Sequence, residues 1–237
     1  MGLKQKCLNN AKSNYLGDKC FEETSMHYLE NTQIFKDMNI REVVHDRKRQ
    51  LKGIDAIGSI GNENINVDVK AIASQLNTFC FEISGNVSTN QIGWLINPDL
   101  ETTHYLIVYH TVKGAEKNYR LGKRIMTVNN VVETEAMLIE KKKLSHFIEQ
   151  QLGEDIPHIV KEIRNMNLEG RGVVRFDKNL KPSTKSVKAD AYPTISLGLK
   201  EQPINVVVRK EQLKNLAIKH WVVEDKNNMV TSDQIEN

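Results

Sequence analysis

Three residues whose types and spacing suit chemistry lie within one short segment, GIDAIGSIGNENINVDVKA, residues 53–71: Asp55, Asp68 and Lys70. GIDAIGSI and INVDVKAI each alternate apolar and other residues with period two, and the polar stretch Gly61 to Asn64 separates them, so the segment predicts a β-hairpin. A two-residue loop at Asn62-Glu63 sets Asp55 against Lys70 and Ile57 against Asp68. Asp68 and Lys70 share a face by alternation, and directly opposed residues share one too, so all three polar groups converge. Directly opposed Cβ atoms lie about 4.5–5.5 Å apart and diagonal ones, such as those of Asp55 and Asp68 in this register, roughly 7–8 Å, close enough for one ion to touch both carboxylates. Two carboxylates at that range repel each other unless a cation neutralises them. Oxygen ligands of this kind suit Mg²⁺ or Mn²⁺, water beside such a cation is more acidic, and a lysine can stabilise charge on a phosphate. The set suits hydrolysis of phosphodiesters. The bland alternative is the wet face of an antiparallel sheet, with Lys70 paired to Asp55 in an exposed ion pair worth little.

The surrounding elements must hold these residues. The other face of the hairpin, with Ile54, Ala56, Ile65, Val67, Val69 and Ala71, is a core side. Residues 8–31 carry Leu16, Cys20, Phe21 and Tyr28 at helical spacing and predict a helix that supplies Glu22 and Glu23. REVVHD, TFCFEIS and HYLIVYHTV predict further strands, and the long connection between the last two is anchored by Trp94. AMLIEKKKLSHFIEQQLG and NVVVRKEQLKNLAIKHW each read as a strand followed by a short amphipathic helix. Residues 175–194, rich in Lys, Ser and Pro, predict an exposed loop, and the tail after Val223 is expected to fray.

Asp55 on one strand, Asp68-Val69-Lys70 on the next and Gly17-x-x-x-Phe21-Glu22 on a preceding helix resemble the PD-(D/E)XK nuclease superfamily, over residues 8 to 84. The Gln50-x-x-Gly53 approach to Asp55 also appears in several members, while Ile54 stands where the eponymous proline would be. The resemblance implies an α/β, restriction-endonuclease-like mixed β-sheet flanked by helices, with a C-terminal α/β extension. It implies a nuclease domain over residues 1–160 and an extension over 161–237 that either stands apart or completes the same domain. The implied activity is Mg²⁺-dependent hydrolysis of DNA phosphodiesters. Glu22, Asp55, Asp68 and Val69 would then hold Mg²⁺ or Mn²⁺, and Lys70 would act on the attacking water. Glu23 competes with Glu22 for the role of helix acid, and Glu82 on the next strand is an outside candidate. Lys181, Lys185 and Lys188 become phosphate contacts on this reading, because Lys and Arg supply most non-specific affinity for nucleic acid. Symmetric cutting of a duplex would call for a homodimer. The rival is a nuclease fold kept as a binding module for nucleic acid or a protein, without catalysis.

Composition is compatible with either. The 237 residues are 39% hydrophobic and 27% charged with a net charge of +3, which excludes a disordered or strongly polybasic chain. No apolar run approaches the roughly 18 residues of a membrane span. Cys7, Cys20 and Cys80 form no CxxC pair, so reduced thiols and a cytoplasmic location are expected. The seven histidines show no metal-ligand spacing, and no Gly-rich phosphate loop is present.

Overall fold

The structure, a computed structural model, describes residues 14–73, 76–183, 185–224 and 229–231. It is a mixed α/β protein with two sheets and, among the described residues, seven α-helices. The chain forms two compact units that interleave along the sequence: residues 1–76, 102–139 and 217–237 in the first, residues 77–101 and 140–216 in the second. None of the four places where the chain passes between the units falls at residue 160. The reason is that the segment after residue 217 returns to the first sheet rather than extending the second.

The first unit begins with helices α1 (Asn14–Leu29) and α2 (Gln33–Asp37), strand β1 (Glu42–Val43) and helix α3 (Arg47–Gln50). Strands β2 (Ala56–Ile60) and β3 (Glu63–Ile72) follow as the expected hairpin. Strand β4 (Thr78–Ser84) belongs to the second unit, and the chain re-enters the first at β5 (His104–Val112), α4 (Tyr119–Ile125) and β6 (Val131–Glu140). In the second unit lie α5 (Lys141–Leu152), α6 (Ile156–Asn165), β7 (Val173–Phe176), β8 (Pro182–Ser183), β9 (Ala191–Ser196), β10 (Ile204–Arg209) and α7 (Lys210–Leu216). Strands β11 (Lys219–Glu224) and β12 (Met229–Thr231) close the first sheet, so part of the tail expected to fray is paired backbone.

The seven-stranded sheet has the order β1-β2-β3-β5-β6-β11-β12. β3 pairs antiparallel with β2 and parallel with β5, so β4 does not lie beside β3 and Glu82 stands in the other sheet, order β4-β10-β9-β7-β8. β5 is apolar along nearly its whole length because both its faces are covered, as an interior strand requires. Phe21, Tyr28 and Leu29 of α1 fall at i, i+7 and i+8, one face of a helix, and bury against Leu106, Val108, Ala136, Leu138 and Trp221. Trp221 Nε1 donates to Asp37 Oδ2 at 2.8 Å, tying β11 to the end of α2. The Lys-rich stretch 175–194 is less open than expected, since β8 pairs with β7 and β9 begins at Ala191. Cys80 is a free thiol, whereas Cys20 is disulfide-bonded, against the expectation of reduced thiols.

Candidate active site

The hairpin loop is one residue earlier than the sequence suggested. Ile60 pairs with Glu63 and Ala56 with Val67, which leaves Gly61-Asn62 as the loop. Gly61 sits at φ 54°, and a two-residue hairpin turn needs its first residue in that left-handed region, which glycine enters without steric cost. The glycine therefore belongs inside the turn, and the whole register moves by two. Two is even, so the faces are unchanged: Asp55 still comes to the side of Asp68 and Lys70, but its nearest cross-strand neighbour is Asp68 rather than Lys70.

Asp55 lies in the bend just before β2, not within a strand. Its N–H donates to the Val67 carbonyl at 2.9 Å, and its own carbonyl accepts from Val44 N–H at 2.8 Å. The approach is fixed from further back. Asp46 caps α3 by accepting from the N–H groups of Lys48 and Arg49, Gly53 N–H donates to Gln50, and the Thr102 hydroxyl donates to the Gly53 carbonyl at 2.7 Å. The Gln50-x-x-Gly53 pattern is thus a tight connection from helix to strand that aims Asp55.

Beyond Val67, β3 has no β2 residue beside it, and Asp55 fills that edge: its Oδ2 accepts the Val69 N–H at 2.9 Å. In an extended strand the N–H and C=O of one residue leave by the same edge. The Val69 carbonyl therefore faces the edge where the Asp55 carboxylate sits.

Asp68 is buried at 3% exposure, and Lys70 Nζ meets its Oδ1 at 2.8 Å. Burial, with the Asp55 charge and hydrogen bond adding to it, pushes the Asp68 carboxyl up to about 7 in spite of Lys70. Tyr105 is the parallel neighbour of Asp68 on β5, fully buried, and its phenol is held well above its ordinary value by burial and by Asp68. Burial works against the Lys70 ammonium, yet Asp68, Asp55 and Glu22 outweigh it and raise it above the usual lysine range. The lysine stays charged. Glu22 projects from α1, and its carboxyl is raised by loss of solvent and by Asp55 and Asp18, against Lys70 and Lys123. Glu22 is thus within electrostatic reach of Lys70 and Asp55, while Glu23 is turned about 100° round the helix.

The fold accordingly brings Asp55, Asp68, Val69 and Lys70 together where the interior strand β3 runs past β2, with Glu22 of α1 within electrostatic reach. Their donor chemistry fits a hard divalent cation, since Asp55, Asp68 and the Val69 carbonyl offer oxygen only. Among the described residues, no three His, Cys, Asp or Glu side chains gather closely enough to hold a metal ion, so Glu22 is a charged neighbour rather than a third ligand here. Lys181, Lys185 and Lys188 are exposed on the second unit, at β8 and the loop after it.

One polar cluster has no counterpart in the sequence motifs. His110 of β5, fully buried, shares hydrogen bonds with Ser25 of α1 at 2.7 Å through Nε2 and with Thr134 of β6 at 2.8 Å through Nδ1. Phe21 and Tyr28 meet its ring edge to face, and burial pulls the imidazole down to about 3, so it is neutral. Ser25 is one helical turn from Glu22, so the cluster fixes the face α1 turns to the sheet. Its signal was His110 inside an apolar strand.

Among the described residues no helix is long and apolar enough to cross a membrane. No family model, no curated protein and no solved structure matches the chain.

Proposed function

We propose that this chain is a divalent-metal-dependent deoxyribonuclease with a restriction-endonuclease-like first unit. The observation that carries the reading is the meeting of Asp55, Asp68 and Lys70 where β3 runs past β2, with Glu22 within electrostatic reach. Asp55, Asp68 and the Val69 carbonyl would hold Mg²⁺ or Mn²⁺. A cation bound there supplies positive charge to a phosphoryl oxygen and makes nearby water more acidic. Asp55 and Asp68 fix the site by being anchored themselves, one to the β3 backbone and the other within the sheet. Lys70, whose side chain is 29% exposed, offers its ammonium to the attacking water and to the charge that develops on the phosphate. DNA is the proposed partner, and cutting both strands of a duplex symmetrically would take a homodimer.

The test is thermal unfolding with and without millimolar Mn²⁺. A cation that binds only the folded carboxylates raises the melting temperature by mass action, and Asp68→Asn should lose that response. An equal response in wild type and Asp68→Asn removes Asp68 from the metal site. A second reading, a nuclease fold retained as a binding module, is favoured by the direct Lys70–Asp68 ion pair at 2.8 Å, which offsets one of the cluster's carboxylates without a metal. A metal-responsive chain that cuts no DNA would select that reading.

A further inference from the structure

The second unit carries a separate cluster of cations at the junction of β10 and α7. β10 ends at Arg209 and α7 starts at Lys210 with no loop between, so the two cations adjoin, and Lys214 follows four residues on, on the same helix face as Lys210. Thr78 is the ladder partner of Arg209, and the Lys210 N–H donates to the Asn77 carbonyl at 2.9 Å. Together with Tyr192 of β9 these residues line a cavity of about 470 Å³. That lies within the roughly 300–1,000 Å³ of small-ligand sites. Lys210 is only 9% exposed, and Arg209 Nε donates to the Ala189 carbonyl at 2.8 Å, which fixes the guanidinium plane. Glu211 lines the cavity too, and Asp190 stands 3.9 Å from Arg209. Against these two carboxylates stand three cations in the wall, with Lys185 and Lys188 bracketing Val187, another lining residue.

We infer that this cavity binds one nucleotide unit of a nucleic-acid strand. Arg209, Lys210 and Lys214 take the phosphate, for which an arginine fork and ammonium groups are the suited donors. Tyr192, with Thr78 and Asn77, receives the sugar and base, since an aromatic ring accepts any base by stacking. The inference shares a nucleic-acid partner with the proposed function but needs neither its carboxylates nor its metal.

The experiment is fluorescence anisotropy of a labelled eight-nucleotide oligothymidine with the full chain in EDTA, where metal-dependent cleavage cannot interfere. Wild type should bind, and Lys48→Gln, an exposed lysine of the first unit outside both sites, should bind equally. Lys214→Gln should weaken binding about tenfold, as removal of one charged hydrogen-bond donor does. Lys214 is half-buried, and Lys214→Arg, which keeps the charge, should restore affinity. Thymidine 5′-monophosphate should displace the oligonucleotide where thymidine does not. The inference is overturned if wild type does not bind, if Lys214→Gln binds within about twofold of wild type, or if thymidine competes as well as its monophosphate. Displacement by the monophosphate with Lys214→Gln unaffected would assign the cavity to no strand and overturn it as well. A chain that passes these tests but cuts no DNA with Mg²⁺ contradicts the nuclease reading and leaves the cavity's assignment intact.

Discussion

The carboxylate of Asp55 accepts the backbone N–H of Val69 at 2.9 Å. A side chain here does what a strand residue would otherwise do, satisfying β3 where β2 has already ended. It also holds a charged group beside Asp68 at the place where the Val69 carbonyl emerges. The acid is positioned by the sheet's own hydrogen-bonding pattern, so its location follows from the fold and not from a flexible loop.

Asp68→Asn should stabilise the metal-free protein at neutral and higher pH. The folded carboxyl is pushed to about 7 from an ordinary value of 3.8, so between those values the folded state binds more protons than the unfolded one and stability falls as pH rises. Above about 7 the full cost is present. Urea unfolding in EDTA should show the variant ahead by about 1–3 kcal/mol at pH 8, less than the full shift implies because Lys70 loses its nearest partner. The lead should shrink towards pH 4. A lead that does not change with pH would rule out a buried, titrating Asp68.

His110 gives the opposite slope. Its imidazole is neutral when folded, down to about 3, and protonates near 6.5 when unfolded, so stability rises with pH between those values. The two slopes oppose each other in wild type, and each is visible only by comparison with its own variant. His110→Gln should remove the rising part, so that between pH 4 and 6.5 the stability of the variant falls with pH relative to wild type. A parallel curve for the variant would show that the imidazole does not titrate on unfolding.

Sequence periodicity located α1, the hairpin, β4, β5 and both strand-helix segments, because each has one buried face or two and the apolar spacing records that. It also placed Asp55, Asp68 and Lys70 on one side, since only the parity of the turn mattered. The register itself was two residues off: the period of two does not say which residue of Gly61-Asn62-Glu63 must take positive φ. The partition into units was not legible, because pairing of β11 with β6 joins segments about 85 residues apart and leaves no local signature. Nor was the Ser25–His110–Thr134 chain, whose members come from three elements.

The lysines after β7 should matter for affinity and not for chemistry. Replacing Lys181, Lys185 and Lys188 together by Ala should weaken binding to duplex DNA and flatten its salt dependence, by about 0.9 in log–log slope for every phosphate that is no longer neutralised. An unchanged slope would mean that these exposed side chains are solvated charge.

Lys70 is proposed to act on the chemical step at a site built by Asp55 and Asp68, and the measurement that decides it is the single-turnover rate of DNA cleavage by wild type and Lys70→Ala. Duplex, branched and single-stranded substrates should each be tried with Mg²⁺ and with Mn²⁺. Wild type should cleave at least one substrate and Asp68→Ala none. Lys70→Ala should bind DNA nearly as well as wild type yet cut it more slowly by about 10²–10³, since the missing group acts where charge develops in the transition state. Lys70→Arg should recover only part of the rate, a planar fork being a poor substitute for a compact ammonium. Cleavage by Lys70→Ala at the wild-type rate, or no cleavage of any substrate by wild type, would contradict that role.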